Sequence, residues 1–237
     1  MQEPRVIVAL DYDDATTAMR FVEQLDPTLC KLKVGKEMFT LFGPEFVKAL
    51  IEKGFDVFLD LKFHDIPNTV AKACKAAAEL GVWMVNVHAS GGLEMMTAAK
   101  QAIASSRHPE TRLIAVTVLT SMDQDGLSDI IDDVTPAQQV MRLAKLTQRA
   151  GLDGIVCSAQ EATLLRDELD SDFLLVTPGI RPAGSSAGDQ KRVMTPVDAI
   201  AHGVNYLVMG RPITQAEQPL DVLRRVNADV YSVLTGS

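Results

Sequence analysis

The sequence predicts a (β/α)8 barrel, a single-domain α/β fold in which eight parallel strands close into a cylinder inside a ring of helices. Three observations predict it. Eight short β-rich runs alternate with helical segments through 237 residues, close to the roughly 250 that such a barrel typically takes. The runs are evenly spaced, and polar residues recur at their C-terminal ends, where a barrel gathers its reactive groups. No composition break, linker or low-complexity stretch divides the chain, so residues 1–237 are expected to form one domain. A doubly wound open sheet is the rival architecture; eight evenly spaced units favour the barrel.

Taken in order, residues 6–10 form the first strand, followed by Asp11, with Asp13 or Asp14 capping a helix to about Leu25. Residues 30–34 are the second strand; Pro44 suits a first helical turn and Gly54 the position just past a helix end. The third strand spans residues 55–63, and an Ala-rich helix over 70–80 follows it, closed by Gly81. Residues 83–88 are the fourth strand, with Gly91 and Gly92 opening a helix to about Ser105. Residues 113–119, rich in β-branched side chains, are the fifth. An acidic connection, 121–134, leads to a helix that Thr135-Pro136 starts and Gly151 ends. Residues 154–157, 173–177 and 206–209 complete the strands. Thr195-Pro196 and Gly203 bracket a short helix, and residues 219–230 close the chain.

A composition of 47% hydrophobic and 23% charged residues is ordinary globular material, enough for one large core. The net charge of -8 argues against nucleic acid or an anionic membrane as the main partner, since either favours a basic face. An anionic ligand would need a locally cationic site. Residues 1–5 lack a basic segment leading into an apolar one, and no apolar run approaches the ~20 residues that span a bilayer. A cytoplasmic protein is expected. Cys30, Cys74 and Cys157 are odd in number, far apart and without C-x-x-C spacing, which suits reduced, buried thiols and no structural zinc.

The densest chemistry lies in Asp60-Leu61-Lys62-Phe63-His64-Asp65-Ile66-Pro67-Asn68-Thr69. A strand has a side-chain period of two, so Asp60 and Lys62 share a face. Pro67 disfavours helix at Ile66, which puts Asp65 on an irregular loop before Asn68 or Thr69 caps the next helix. In a barrel, Asp11, Lys33, Asp60 and Lys62 converge at strand ends, and charges of alternating sign hold one another ionised. Singly, Asp11 could be a helix cap and Lys33 a lysine reaching for solvent.

Anion recognition marks the other side of the mouth. Thr177-Pro178-Gly179-Ile180-Arg181-Pro182 leaves the seventh strand, a Gly/Ser-rich stretch with Gln190 occupies residues 183–192, and the eighth strand runs into Gly210-Arg211-Pro212. These are the two loops where barrels frequently bind phosphate, with glycine admitting the ligand to the backbone and arginine offering a fork of donors. The low intrinsic order of residues 184–188 suggests a lid.

The D-L-K-F-H-D-I-P-N-T run resembles the signature of the orotidine 5'-phosphate decarboxylase family. Leu10-Asp11, Lys33-Val34-Gly35, Val118-Leu119-Thr120-Ser121, Gly188-Asp189-Gln190 and the two arginine loops follow in that family's order. The resemblance covers nearly the whole chain and implies cofactor-free, metal-free conversion of orotidine 5'-phosphate to uridine 5'-phosphate and carbon dioxide in pyrimidine nucleotide synthesis. It implies Lys62 as proton donor to C6, Asp60 against the departing carboxylate, and Asp11 and Lys33 on ribose hydroxyls, with Lys33 also in the charge network. Asp65 and Thr69 would enter a neighbouring subunit's site in a homodimer, Thr120 would lie by the pyrimidine, and Arg181, Gln190, Gly210 and Arg211 would bind phosphate or close over it. His64, His88, His108 and His202 receive no chemical role. Two alternatives stand beside this reading: a metal-dependent barrel decarboxylase of sugar-acid phosphates, and a non-catalytic nucleotide-binding barrel.

Overall fold

A computed structural model of the chain describes residues 3–182 and 193–236. Its strands are β1 (Val6–Leu10), β2 (Lys31–Gly35), β3 (Val57–Phe63), β4 (Met84–His88), β5 (Arg112–Val116), β6 (Gly154–Val156), β7 (Leu174–Thr177) and β8 (Tyr206–Met209). They are parallel and pair in sequence order, and β8 returns to β1 through Val6 opposite Leu207, closing the barrel. The helices are α1 (Ala15–Val22), α2 (Lys36–Glu52), α3 (Pro67–Glu79), α4 (Gly92–Ala104), α5 (Gln124–Ser128), α6 (Pro136–Arg149), α7 (Ala162–Glu168), α8 (Pro196–Ala201), α9 (Arg211–Thr214) and α10 (Pro219–Thr235).

Strand alternation divides the core in two. One set of side chains, including Val8, Leu32, Val57, Leu59, Val85 and Leu113, faces the helices. The other set, Ile7, Ala9, Phe58, Met84, Ile114, Val176, Tyr206 and Val208, fills the barrel interior. On β3 the interior position changes from the apolar Phe58 to the charged Asp60 toward the C-terminal end, with Lys33 of β2 beside it, so the packed interior is the floor of a charged mouth. At the opposite end Lys31 is buried, pairs with Asp56 at 2.5 Å and Glu3 at 3.3 Å, and sits 4.3 Å from the centre of the Trp83 ring. That charge belongs to the base of the barrel, not to its mouth.

The local chemistry of the helix starts matches their sequences. Asp14 caps α1 by accepting from the Thr17 N–H at 2.6 Å, and Thr135 forms a reciprocal capping box with Gln138 at α6. Several expectations are corrected. Helix α2 begins at Lys36, directly after β2, and Pro44 restarts it beyond Gly43, whose φ of 64° breaks the helical path. Helix α3 starts at Pro67 with Ile66 before it, so neither Asn68 nor Thr69 is its cap. The connection 121–134 contains α5, capped by Asp123, and β5 ends at Val116, leaving Val118 to Thr120 on the mouth. Helix α7 was not anticipated; Ser158 and Glu161 form a capping box just ahead of it.

Candidate active site

The order of charges along the mouth follows from the register. Lys33 lies opposite Phe58 and Gly35 opposite Asp60, so the ammonium from β2 reaches up to the carboxylate on β3. Lys33 Nζ lies 3.4 Å from Asp60 Oδ2 and 3.9 Å from Asp11 Oδ1, and Lys62 Nζ lies 2.6 Å from Asp60 Oδ1. The result is one array, Asp11, Lys33, Asp60, Lys62, alternating in sign. A Cβ at position 35 would stand 3.3 Å from Lys33 Nζ, so Gly35 leaves that ammonium its room.

Burial decides which members of the array are held. The Asp60 and Lys33 side chains are each 12% exposed and Lys62 is 27% exposed, whereas Asp11 is 73% exposed. Burial by itself pushes the Asp60 carboxyl up, but Lys33, Lys62 and the hydrogen bonds from Lys62 and Asn86 outweigh it and hold the group below its ordinary range. Asp60 is therefore an anion at neutral pH. His88, at the end of β4, is pushed down by burial and then by His64, whose ring centre lies 5.5 Å away, so it is neutral there.

Lys62 has an unusual backbone. Its φ is 53°, a left-handed conformation that costs a non-glycine residue about 1–2 kcal/mol. The cause is a break in register: between Leu59 and Phe63 strand β3 advances four residues, while β4 advances two, from Val85 to Val87. Regular alternation therefore ends at Asp60, and the pairing of Asp60 with Lys62 is made by a bulge, not by a flat strand. Bulges and backbone strain of this kind concentrate at functional sites.

Two adjoining cavities open from this array. One, of about 190 Å3, is lined by Lys33, Asp60 and Lys62 on one side and by Phe58, Val116, Val118, Leu119, Thr120, Val156, Val176, Pro178 and Val208 elsewhere, an apolar slot with charge at one wall. The other, of about 430 Å3, shares Lys33, Pro178 and Val208 with it and continues past Asp11 and Tyr12 to Gly179, Arg181, Gly210 and Arg211. Arg181 is buried and donates from Nη1 to the Ile180 carbonyl at 2.9 Å. Burial first, and then the neighbouring Arg211, lower its pKa, as two guanidinium groups facing one space would. That space suits an anion carrying more than one charge.

The sequence candidates fall into three groups. Asp11, Lys33, Asp60 and Lys62 are brought together, with Thr120 beside the smaller cavity and Arg181, Gly210 and Arg211 around the larger. Asp65 and Thr69 are exposed on the rim; the Asp65 carboxylate accepts from the Ile66 N–H at 2.6 Å, and among the described residues no cation stands within 4 Å of it. Gln190 and the rest of 183–192 lie outside the described residues. Arg181 N–H donates to the Met194 carbonyl at 3.0 Å, joining the chain on either side of that segment. Asn86, absent from the candidates, proves to be in contact with Asp60 and Lys62. Its signal in the sequence is a lone amide among the apolar residues of β4.

A family model described as "Orotidine 5'-phosphate decarboxylase / HUMPS family" matches residues 4–226. The chain belongs to this family. Within it, the chain is 62% identical over 234 residues to a protein of Aliivibrio fischeri (strain MJ11) named orotidine 5'-phosphate decarboxylase, covering 99% of this chain and all of that one. It is 65% identical over 226 residues to the protein of the same name from Pseudoalteromonas translucida (strain TAC 125), covering 95% and 97% of the two chains. The crystal structure of orotidine 5'-phosphate decarboxylase from Lactobacillus acidophilus superposes with a TM-score of 0.86 at 39% identity, over 97% of this chain and 99% of that one. The family's barrel is thus this chain's barrel over almost its full length.

Proposed function

We propose that this chain converts orotidine 5'-phosphate to uridine 5'-phosphate and carbon dioxide, a step of pyrimidine nucleotide synthesis. The observation that carries the reading is the alternating array Asp11, Lys33, Asp60, Lys62 at the wall of an apolar slot that runs on to two arginines. The names of the relatives point to the same reaction.

In this reading the pyrimidine takes the smaller cavity beside Thr120, and the phosphate takes the larger one between Arg181, Gly210 and Arg211. Asp11 and Lys33 then hold the ribose hydroxyls between them. In the reaction the bond from C6 to the carboxylate breaks and its electron pair stays on C6. Carbon dioxide leaves from the side of Asp60, and Lys62 Nζ gives a proton to the pair; the neutral amine regains one from water. Ring delocalisation of that pair is poor, so a fixed ammonium is the stabiliser the step requires. One charge at about 4 Å gives only about 4 kcal/mol at an effective dielectric near 20. The slowest reactions need barrier lowering on the order of 20 kcal/mol, so the remainder must come from preorganisation and from binding the distant phosphate.

A homodimer completes the site. Asp65 and Thr69 stand exposed beside Ile66, which is 66% exposed. In a two-fold pair each rim would supply the partner's mouth. Reduced, buried thiols at Cys30, Cys74 and Cys157 suit a reducing cytoplasm, and burial pushes Cys30 and Cys74 up to about 12.

Loss of ultraviolet absorbance from orotidine 5'-phosphate, followed with excess chelator present, is the test. Full turnover in chelator is the expected result. Untouched orotidine 5'-phosphate with magnesium-dependent loss of carbon dioxide from a sugar-acid phosphate would favour the metal-dependent alternative, and binding without consumption would favour a nucleotide-binding barrel.

A further inference from the structure

Asn86 is fully buried in the middle of β4, yet it belongs neither to the packed floor nor to the ligand cavities. Its side chain spans two groups. Nδ2 donates to Asp60 Oδ1 at 2.7 Å, and Oδ1 accepts from the backbone N–H of Lys62 at 2.8 Å. The partners fix the orientation of the amide, because only its nitrogen can face a carboxylate and only its oxygen can face an N–H.

We propose that Asn86 is the positioning residue of the proton donor, holding the Asp60 carboxylate and the left-handed Lys62 backbone in one clamp. The bulge turns the Lys62 N–H out of the strand ladder, and a buried N–H without an acceptor is costly. Asn86 supplies that acceptor and so makes the φ of 53° tenable. At the same time it fixes the rotation of Asp60, leaving Oδ1 toward Lys62 and Oδ2 toward Lys33. An amide is suited to both tasks: leucine offers neither bond, and a carboxylate accepts from the N–H but repels Asp60. Without the clamp, Lys62 can relax toward extended backbone and carry its ammonium away from C6, while the arginines at the far end of the site are untouched.

The inference rests on the proposed decarboxylation and is tested with the full-length protein in its native assembly. Asn86→Leu should lower kcat by about 100-fold or more and change KM by less than about 3-fold, with uridine 5'-phosphate still binding. Asn86→Asp supplies a readout that a merely space-filling role would not move. The charged groups facing an introduced carboxyl are Asp60 and Lys62 on β3 and Lys33 on β2, with His88 on its own strand and His64 against His88. Two adjacent carboxylates share a proton at raised pKa, and in protonated form the new group again pairs one donor with one acceptor. Its kcat should therefore rise as pH falls below neutrality, while the wild-type kcat stays level over the same window. Wild-type enzyme that releases no carbon dioxide would sink the decarboxylase reading. Active wild type with Asn86→Leu at undiminished kcat, or an Asn86→Asp profile parallel to wild type, would overturn this inference alone.

Discussion

Lys62→Ala is expected to lower kcat by about 1,000-fold or more, the equivalent of about 4 kcal/mol of barrier lowering. The size follows from removing both the proposed proton donor and a cation placed 2.6 Å from Asp60 Oδ1. The barrel should remain folded. Asp60 keeps Lys33 at 3.4 Å and the Asn86 amide at 2.7 Å, so no buried charge is left uncompensated, and the lysine side chain is already partly exposed. Product-like anions should also bind less well, because the site loses a positive charge while keeping its carboxylates. Steady-state kinetics with thermal unfolding as a control reads both effects. Retention of more than about a tenth of wild-type turnover, less than about 1.4 kcal/mol, would remove Lys62 from the donor role.

Asp65→Ala should be nearly as damaging, although the Asp65 carboxylate touches nothing in its own chain's array. Its expected contribution is to the partner's site, where it would add a second carboxylate near Lys62. Mixing experiments separate this from a local effect. A Lys62→Ala chain and an Asp65→Ala chain should each be inactive as homodimers, but a heterodimer would contain one site with Lys62 from one chain and Asp65 from the other. Random exchange of equal amounts makes half the dimers mixed, each with one intact site of two, so activity should return to about a quarter of wild type. Verified heterodimers without activity would place Asp65 outside a shared site.

Much of this could be read from the sequence because strands and their ends are local. Apolar runs bounded by glycine, proline and aspartate mark all eight strands, and the barrel then brings Asp11, just past β1, together with Lys33 on β2 and Asp60 and Lys62 on β3. The failures have local causes too. Pro44 does open a helical stretch, just past the left-handed Gly43, but the stretch that starts at Lys36 went unread because it follows β2 without a break. Helix α7 went unread although Ser158 and Glu161 have capping-box spacing. The left-handed backbone of Lys62 was not legible at all, since a period of two assumes a flat strand and the bulge depends on pairing with β4. Asn86 shares that cause: its two partners lie 24 and 26 residues away.

The claim that Lys62 replaces a carboxylate with a proton at C6 meets its most direct test in the product. Orotidine 5'-phosphate turned over in fully exchanged deuterium oxide should give one carbon dioxide per nucleotide and uridine 5'-phosphate carrying deuterium at C6, because the ammonium protons of Lys62 exchange with solvent before each turnover. Nuclear magnetic resonance of the product reads the C6 position, and gas analysis reads the stoichiometry. Consumption of substrate without an equivalent of carbon dioxide, or a product whose C6 bears protium, would contradict it.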